Sequence, residues 1–127
     1  MEPTPIRAPG APQAIGPYSQ AIRVGDLLFC SGQIPLDPRT GQMVGGDDAT
    51  LQTRRVMDNL GAVLAAAGSG WQRAIKATIY LTDLADFAEV NAAYGSYFEG
   101  LVPPARACVQ VAALPRGAKV EIELIAG

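Results

Sequence analysis

Hydrophobic positions along the chain fall into two periods, and each change of period marks an element. From Ala49 to Ala67, Leu51, Val56, Met57, Leu60, Val63, Leu64 and Ala67 recur at three-to-four spacing. That is one apolar stripe of a helix wide enough to lie on a sheet. Asp48 stands where a cap belongs and Gly68 where the helix should stop. A second stripe, Phe87, Val90, Tyr94, Tyr97 and Phe98, predicts another helix, closed by Glu99 and Gly100. Asp86 followed by Glu89 reads as its capping box, and Phe87 and Tyr94 read as core.

Elsewhere the period is two. Between Arg73 and Thr82, Ile75, Ala77, Ile79 and Leu81 alternate with Lys76, Thr78, Tyr80 and Thr82, which predicts a strand with one buried face. Tyr18 to Pro35 reads as a hairpin around Gly25-Asp26. Pro103 to Ala126 holds two alternating runs about Leu114-Pro115-Arg116-Gly117, the pattern of an antiparallel strand pair. Met1 to Pro17 carries five prolines and little periodicity, so it is expected as an extended arm. The order is ββαβαββ. It predicts one α+β domain over residues 1–127, a mixed sheet with two helices on one face.

Alternation also sorts the polar groups of the last stretch. Arg106, Cys108 and Gln110 share one face of their run, and Glu121 and Glu123 oppose Val120, Ile122 and Leu124 in theirs. A guanidinium and a carboxylate meet only if the register places them on a common face, and a slip of one residue parts them. Two helices cannot cover both faces of such a sheet. The remaining face carries Thr78, Tyr80, Cys108, Gln110 and small apolar groups, and self-association is the simplest cover.

Composition then narrows the chemistry. With 49% hydrophobic and 17% charged residues, the 127-residue chain reads as globular. A net charge of −2 without a basic cluster gives no footprint for nucleic acid or an anionic membrane. No apolar run approaches the ~18 residues that span a bilayer, and no secretory leader is visible, so a cytoplasmic location is expected. Cys30 and Cys108 lie far apart and read as buried free thiols. The chain has no histidine. That removes serine and cysteine triads and most zinc sites, and no Gly-rich loop suits a phosphate cofactor. Neither metal nor cofactor is expected. Carboxylates, hydroxyls, arginine and backbone amides remain.

Four stretches carry a resemblance: Ile15-Gly16-Pro17-Tyr18-Ser19-Gln20-Ala21; Ser31-Gly32-Gln33-Ile34-Pro35; Asp83-Leu84 through Phe87, Val90-Asn91 and Tyr94; and Pro104 to Val109 followed by Val120-Glu121-Ile122. Together they resemble the Rid family (YjgF type), the reactive-intermediate imine/enamine deaminases. The resemblance implies a chorismate-mutase-like fold, a homotrimer and active sites between subunits. It implies short 2-imino acids and their enamine tautomers as substrates, hydrolysed to 2-keto acids and ammonia. Arg106 would grip the substrate carboxylate in bidentate fashion, as lysine could not. Glu121, selected over Glu123 by the resemblance alone, would do acid–base work, its ionised form favoured by the arginine. Cys108, through its backbone more than its thiol, would orient the substrate with Ser31 and Gly32. Tyr18 would line the pocket, and Asn91 would help hold the cleft. Two other readings fit the same residues: an aminoacrylate-type deaminase of one pathway, and a non-catalytic, carboxylate-binding or chaperone-like trimer. An RNA-cleaving role fits an acidic chain without histidine poorly.

Overall fold

The computed structural model describes residues 1–127. The strands are β1 (Thr4–Ile6), β2 (Ala21–Val24), β3 (Leu27–Gln33), β4 (Ala74–Leu81), β5 (Ala105–Gln110) and β6 (Val120–Ala126). The helices are α1 (Ala49–Ala66), between β3 and β4, and α2 (Phe87–Gly95), between β4 and β5. One sheet runs β1-β2-β3-β6-β4-β5. β4 and β5 pair in parallel and every other pair is antiparallel. β1 is an addition to the expected order, because part of the proline-rich arm pairs with β2 as an edge strand, where proline is tolerated. The arm is pinned further by Gln20. Its carboxamide accepts from Ala8 N at 2.7 Å and donates to Ala8 O at 3.0 Å and Pro12 O at 2.8 Å.

The core forms where the helices meet the sheet. Leu28, Ala77, Ile79, Leu81, Val120, Ile122 and Leu124 face Val56, Met57, Leu60, Val63 and Leu64 of α1 and Val90 and Tyr94 of α2. Asp48 caps α1 by accepting from Leu51 N at 3.1 Å, as expected. The α1 stripe is displaced at its start. Leu51 is exposed, while Gln52, Thr53 and Asn59 are buried and hydrogen-bonded, Asn59 to Leu36 O at 2.9 Å. The Asp86–Glu89 capping box does not form. Asp83 instead caps a short 3-10 turn at Leu84–Asp86 by accepting from Ala85 N at 2.9 Å, and Asp86 faces Lys119 at 3.7 Å. A register shift at Ala74–Lys76 puts Ile75 at the surface instead of in the core.

The largest correction concerns the last two strands, which do not form a hairpin. β6 lies between β3 and β4, and β5 pairs with the far side of β4. The connecting segment bridges the end of β4: Val111 N donates to Leu81 O at 2.8 Å, and Thr82 N donates to Lys119 O at 3.1 Å. Arg116 and Gly117 take left-handed conformations there (φ 57° and 72°), and Arg116 Nη1 donates to Gly41 O at 2.8 Å. Period two identifies a strand and says nothing about its partner. β6 supplies Val120, Ile122 and Leu124, bulk that a central strand buries, whereas the inward residues of β5 are Arg106, Cys108 and Gln110.

The helices cover one face only. The other exposes a patch in which Leu27 is 42%, Phe29 44%, Ile75 46% and Val109 44% accessible. Isolated apolar residues are ordinary on a surface, but here β3, β4 and β5 all contribute to one open face.

Candidate active site

The register decides which candidate groups meet. Arg106, Cys108 and Gln110 stand beside Ala77, Ile79 and Leu81, on the helix-covered side. Glu121 and Glu123 stand beside Tyr80 and Thr78, on the open side. Within one copy, then, the expected arginine–carboxylate pair is divided by the sheet. The register that the sequence left open thus resolves to opposite sides, and within one copy Arg106 is not the neighbour that would favour an ionised Glu121.

Each group nevertheless sits in a built setting. On the first side, Phe87, Asn91 and Tyr94 follow one another at helical spacing along α2 and present one face to β5. The Arg106 guanidinium lies 5.6 Å from the Phe87 ring centre and 5.2 Å from that of Tyr94. Its Nη1 donates to Asn91 Oδ1 at 2.6 Å. Two aromatic rings and one amide anchor the guanidinium and leave further N–H donors unused. No carboxylate of the chain pairs with it. Cys108 follows, half-buried, its thiol pushed up mainly by burial despite the pull of Arg106. It is therefore no activated nucleophile. Gln110 Oε1 accepts from Leu84 N at 2.8 Å, which ties the end of β5 to the turn before α2.

On the open side the organising feature is a bulge. Cys30 pairs with Leu124 and Gln33 with Ile122, so Ser31 and Gly32 together stand opposite the single residue Glu123. Ser31 Oγ donates to Ser19 O at 2.6 Å, and Ser31 N donates to Gln20 O at 3.0 Å, which lashes the bulge to the segment after Tyr18. The Glu121 carboxylate lies against Gly32, where an added Cβ would fall inside the contact distance of Oε2. Only glycine leaves the carboxylate that place. Burial, and then the neighbouring Glu123, raise the Glu121 carboxyl above its ordinary range. Tyr18 is exposed, and its hydroxyl accepts from Ile15 N at 3.4 Å. It lines a groove of about 450 Å³ under the arm with Arg7, Gln13 and Ser19, and the groove reaches neither Arg106 nor Glu121. No three His, Cys, Asp or Glu side chains converge as a metal cage would require.

The structure thus groups the candidates as Arg106, Asn91 and Cys108 on one side and Ser31, Gly32 and Glu121 on the other, with Tyr18 near Ser31. Residues read otherwise join them. Phe87, expected in the core, is an exposed wall of the arginine slot, and Tyr80 and Glu123 flank Glu121. The spacing of Phe87, Asn91 and Tyr94 was the available signal for the slot. Nothing in the sequence signalled the Tyr80–Glu123 contact.

The sequence profile of the family described as Endoribonuclease L-PSP matches residues 8–127. The chain belongs to this family, the Rid family. Among Rid relatives it is 60% identical to Protein DfrA of Myxococcus xanthus over 123 residues, 95% of this chain and 92% of that one. It is 50% identical to the 2-iminobutanoate/2-iminopropanoate deaminase of Mus musculus over 116 residues, covering 91% of this chain and 84% of that one. Among solved structures it is similar to the Rid protein YyfA of Yersinia pestis, with a TM-score of 0.96 at 48% identity and 99% of each chain covered. It is also similar to Escherichia coli TdcF with bound serine, with a TM-score of 0.92 at 43% identity and 97% of each covered. The Rid fold, a chorismate-mutase-like α+β sheet backed by two helices, is therefore this chain's fold. No helix is long and apolar enough to cross a membrane.

Proposed function

We propose that this Rid protein hydrolyses short 2-imino acids and their enamine tautomers, such as those derived from 2-aminocrotonate and 2-aminoacrylate, to 2-keto acids and ammonia. One observation carries the reading. Arg106 lies over two rings, has donors to spare and has no acid of its own chain to occupy it. That is a receptor for a small planar carboxylate. The mouse deaminase and the serine-bound TdcF, both close in sequence, support a small amino- or imino-carboxylate as its guest.

The sheet separates Arg106 from Glu121, so the working site requires two copies. A second copy laid on the open apolar face brings the Glu121 side of one subunit to the β5 edge of the next, and a closed ring of three satisfies every subunit alike. The substrate carboxylate then sits on Arg106, Asn91 supports the guanidinium, and Ser31, Gly32 and the Cys108 backbone orient the chain of the substrate, with Tyr18 at the rim. Water adds to C2 of the C=N bond. Glu121 takes the proton that water loses and passes it to the imine nitrogen, which gives the carbinolamine. It then takes the proton of the carbinolamine hydroxyl and delivers it to the nitrogen, so that the C–N bond breaks and ammonia departs as the C=O bond forms. A carboxyl with raised proton affinity suits both transfers. Imines of this kind hydrolyse in water unaided, so a few factors of ten, each about 1.4 kcal/mol, suffice. No metal, cofactor or nucleic acid is part of the reading, and its setting is the cytosol.

The experiment is a coupled one. A threonine dehydratase supplies the imine, semicarbazide competes for it, and release of 2-ketobutyrate is followed. The protein should accelerate release, and Arg106→Ala should abolish the effect while the oligomer persists on gel filtration. Full activity of the variant overturns the role of Arg106. Saturable carboxylate binding without turnover would make the protein a binding module.

A further inference from the structure

The open face holds a second carboxylate that the mechanism does not use. Glu121 and Glu123 are two apart on β6 and point the same way. Tyr80 on β4 is the cross-strand partner of Glu121, yet its hydroxyl reaches diagonally to donate to Glu123 Oε1. That bond leaves Glu121 free over Gly32 and ties Glu123 down beside it. We infer that Glu123, anchored by the Tyr80 hydroxyl, is a positioning residue that keeps Glu121 over Gly32 and able to hold a proton during catalysis.

The surroundings leave Glu123 as the one fixed charge with this role. From β3, Ser31 and Gly32 stand opposite Glu123, Gly32 also lies against the Glu121 carboxylate, and neither titrates. From β4, Tyr80 faces it, while Lys76 stands farther along, beside Ile125. Ahead of β6, Lys119 is engaged with Asp86 at 3.7 Å. Arg23 lies on the helix-covered side and donates to Ala67 O at 2.9 Å. No cation of the same copy forms an ion pair with either carboxylate. That matters once the site assembles, because the inference rests on the two-copy deaminase reading. There the Arg106 guanidinium of the next subunit favours the ionised form of Glu121 and would make it a poor acid. A like charge fixed two residues away opposes that pull. Burial and Glu123 already raise the carboxyl in the single chain, and the Tyr80 hydroxyl is held protonated chiefly by its bond to Glu123.

The test reads the carboxyl directly. Protein labelled with ¹³C at glutamate carboxyls is titrated by NMR, with the Glu121 signal assigned by its loss in Glu121→Gln. In Glu123→Gln the Glu121 midpoint should fall toward the ordinary carboxylate range, and in Tyr80→Phe it should fall less. Kinetically, Glu123→Gln should lower kcat about tenfold with KM within about twofold, and Glu123→Asp should restore most of the loss. An unchanged Glu121 midpoint in both variants overturns the inference, whatever the enzyme does. A shifted midpoint in a protein with no deaminase activity upholds the coupling and sinks the proposed function. Should Glu123→Gln fail to fold, Tyr80→Phe, which removes one oxygen, gives the same reading.

Discussion

β6 has a neighbour on each side and buries alternate residues down its length, while β5 has β4 on one side only and leaves five of its six residues exposed. The two strands belong to one sheet and are joined by one short loop, yet they meet different demands. β6 presents Glu121 from a backbone clamped by two ladders, so the carboxylate inherits the rigidity of the core. β5 presents Arg106 from an edge, so its orientation has to come from α2, through Phe87, Asn91 and Tyr94. What the difference teaches is where the molecule is complete. The helix-covered side of the sheet is finished within one copy. The open side, with Glu121, and the β5 edge, with Arg106, are left uncovered.

Mixing two inactive variants breaks or sharpens that contrast with the largest effect. Arg106→Ala and Glu121→Gln should each lose about a thousandfold in kcat/KM, the order expected when a desolvated charge loses its partner. Co-refolded in equal amounts, they should regain about a quarter of parental activity, the share of interfaces that unite two intact halves under random assembly. No recovery in mixed oligomers would mean that both groups serve one copy. Next in size is stability. Ile122→Ala in the clamped strand should cost about 3 kcal/mol in urea unfolding. Val109→Ala on the edge strand should cost the chain less than about 1 kcal/mol. Its effect should appear instead as weaker self-association in sedimentation. Equal costs at the two positions would erase the distinction.

Gly32→Ala comes third. Its Cβ would displace the Glu121 carboxylate, and about a tenfold fall in kcat is expected while the unfolding midpoint stays near the parental value. The smallest effect concerns Cys30, buried on the covered side, whose thiol is pushed from 9.0 up to about 12 by burial, with Arg23 opposing. The folded state keeps that proton while the unfolded chain releases it near 9.0. Its contribution to stability is therefore complete below the unfolded value and declines as pH rises toward about 12. Unfolding followed between pH 8 and 11 should show this alkaline loss. Native protein should react with a thiol reagent at Cys108 well before Cys30.

The legible part of the fold was whatever a local pattern dictates. The α1 stripe, its Asp48 cap, the Gly25-Asp26 turn and the alternation of β4 follow from neighbours within a few residues. Strand partners are not local, so the pattern of β5 and β6 reads as a hairpin although β4 lies between them. The same limit governed the site. Motif identity marked Arg106, Glu121, Ser31, Gly32 and Asn91 residue by residue, but only the ladder shows that they occupy two sides. Phe87 illustrates the residual ambiguity, because an aromatic at helical spacing serves equally well as core or as the wall of a cation slot.

The extra residue at Ser31–Gly32 has a consequence for how this protein tolerates change. Up to Cys30 the strand keeps one parity of inward and outward positions, and from Gln33 it keeps the other. Trimming either bulge residue would leave Cys30 and Gln33 two apart and both inward by plain alternation, so the strand would pair regularly and the kink that seats the Glu121 carboxylate against Gly32 would be lost. Length, at that point, serves the carboxylate and not the alternation: a deletion there would spare the interior of the sheet and cost the seat of Glu121.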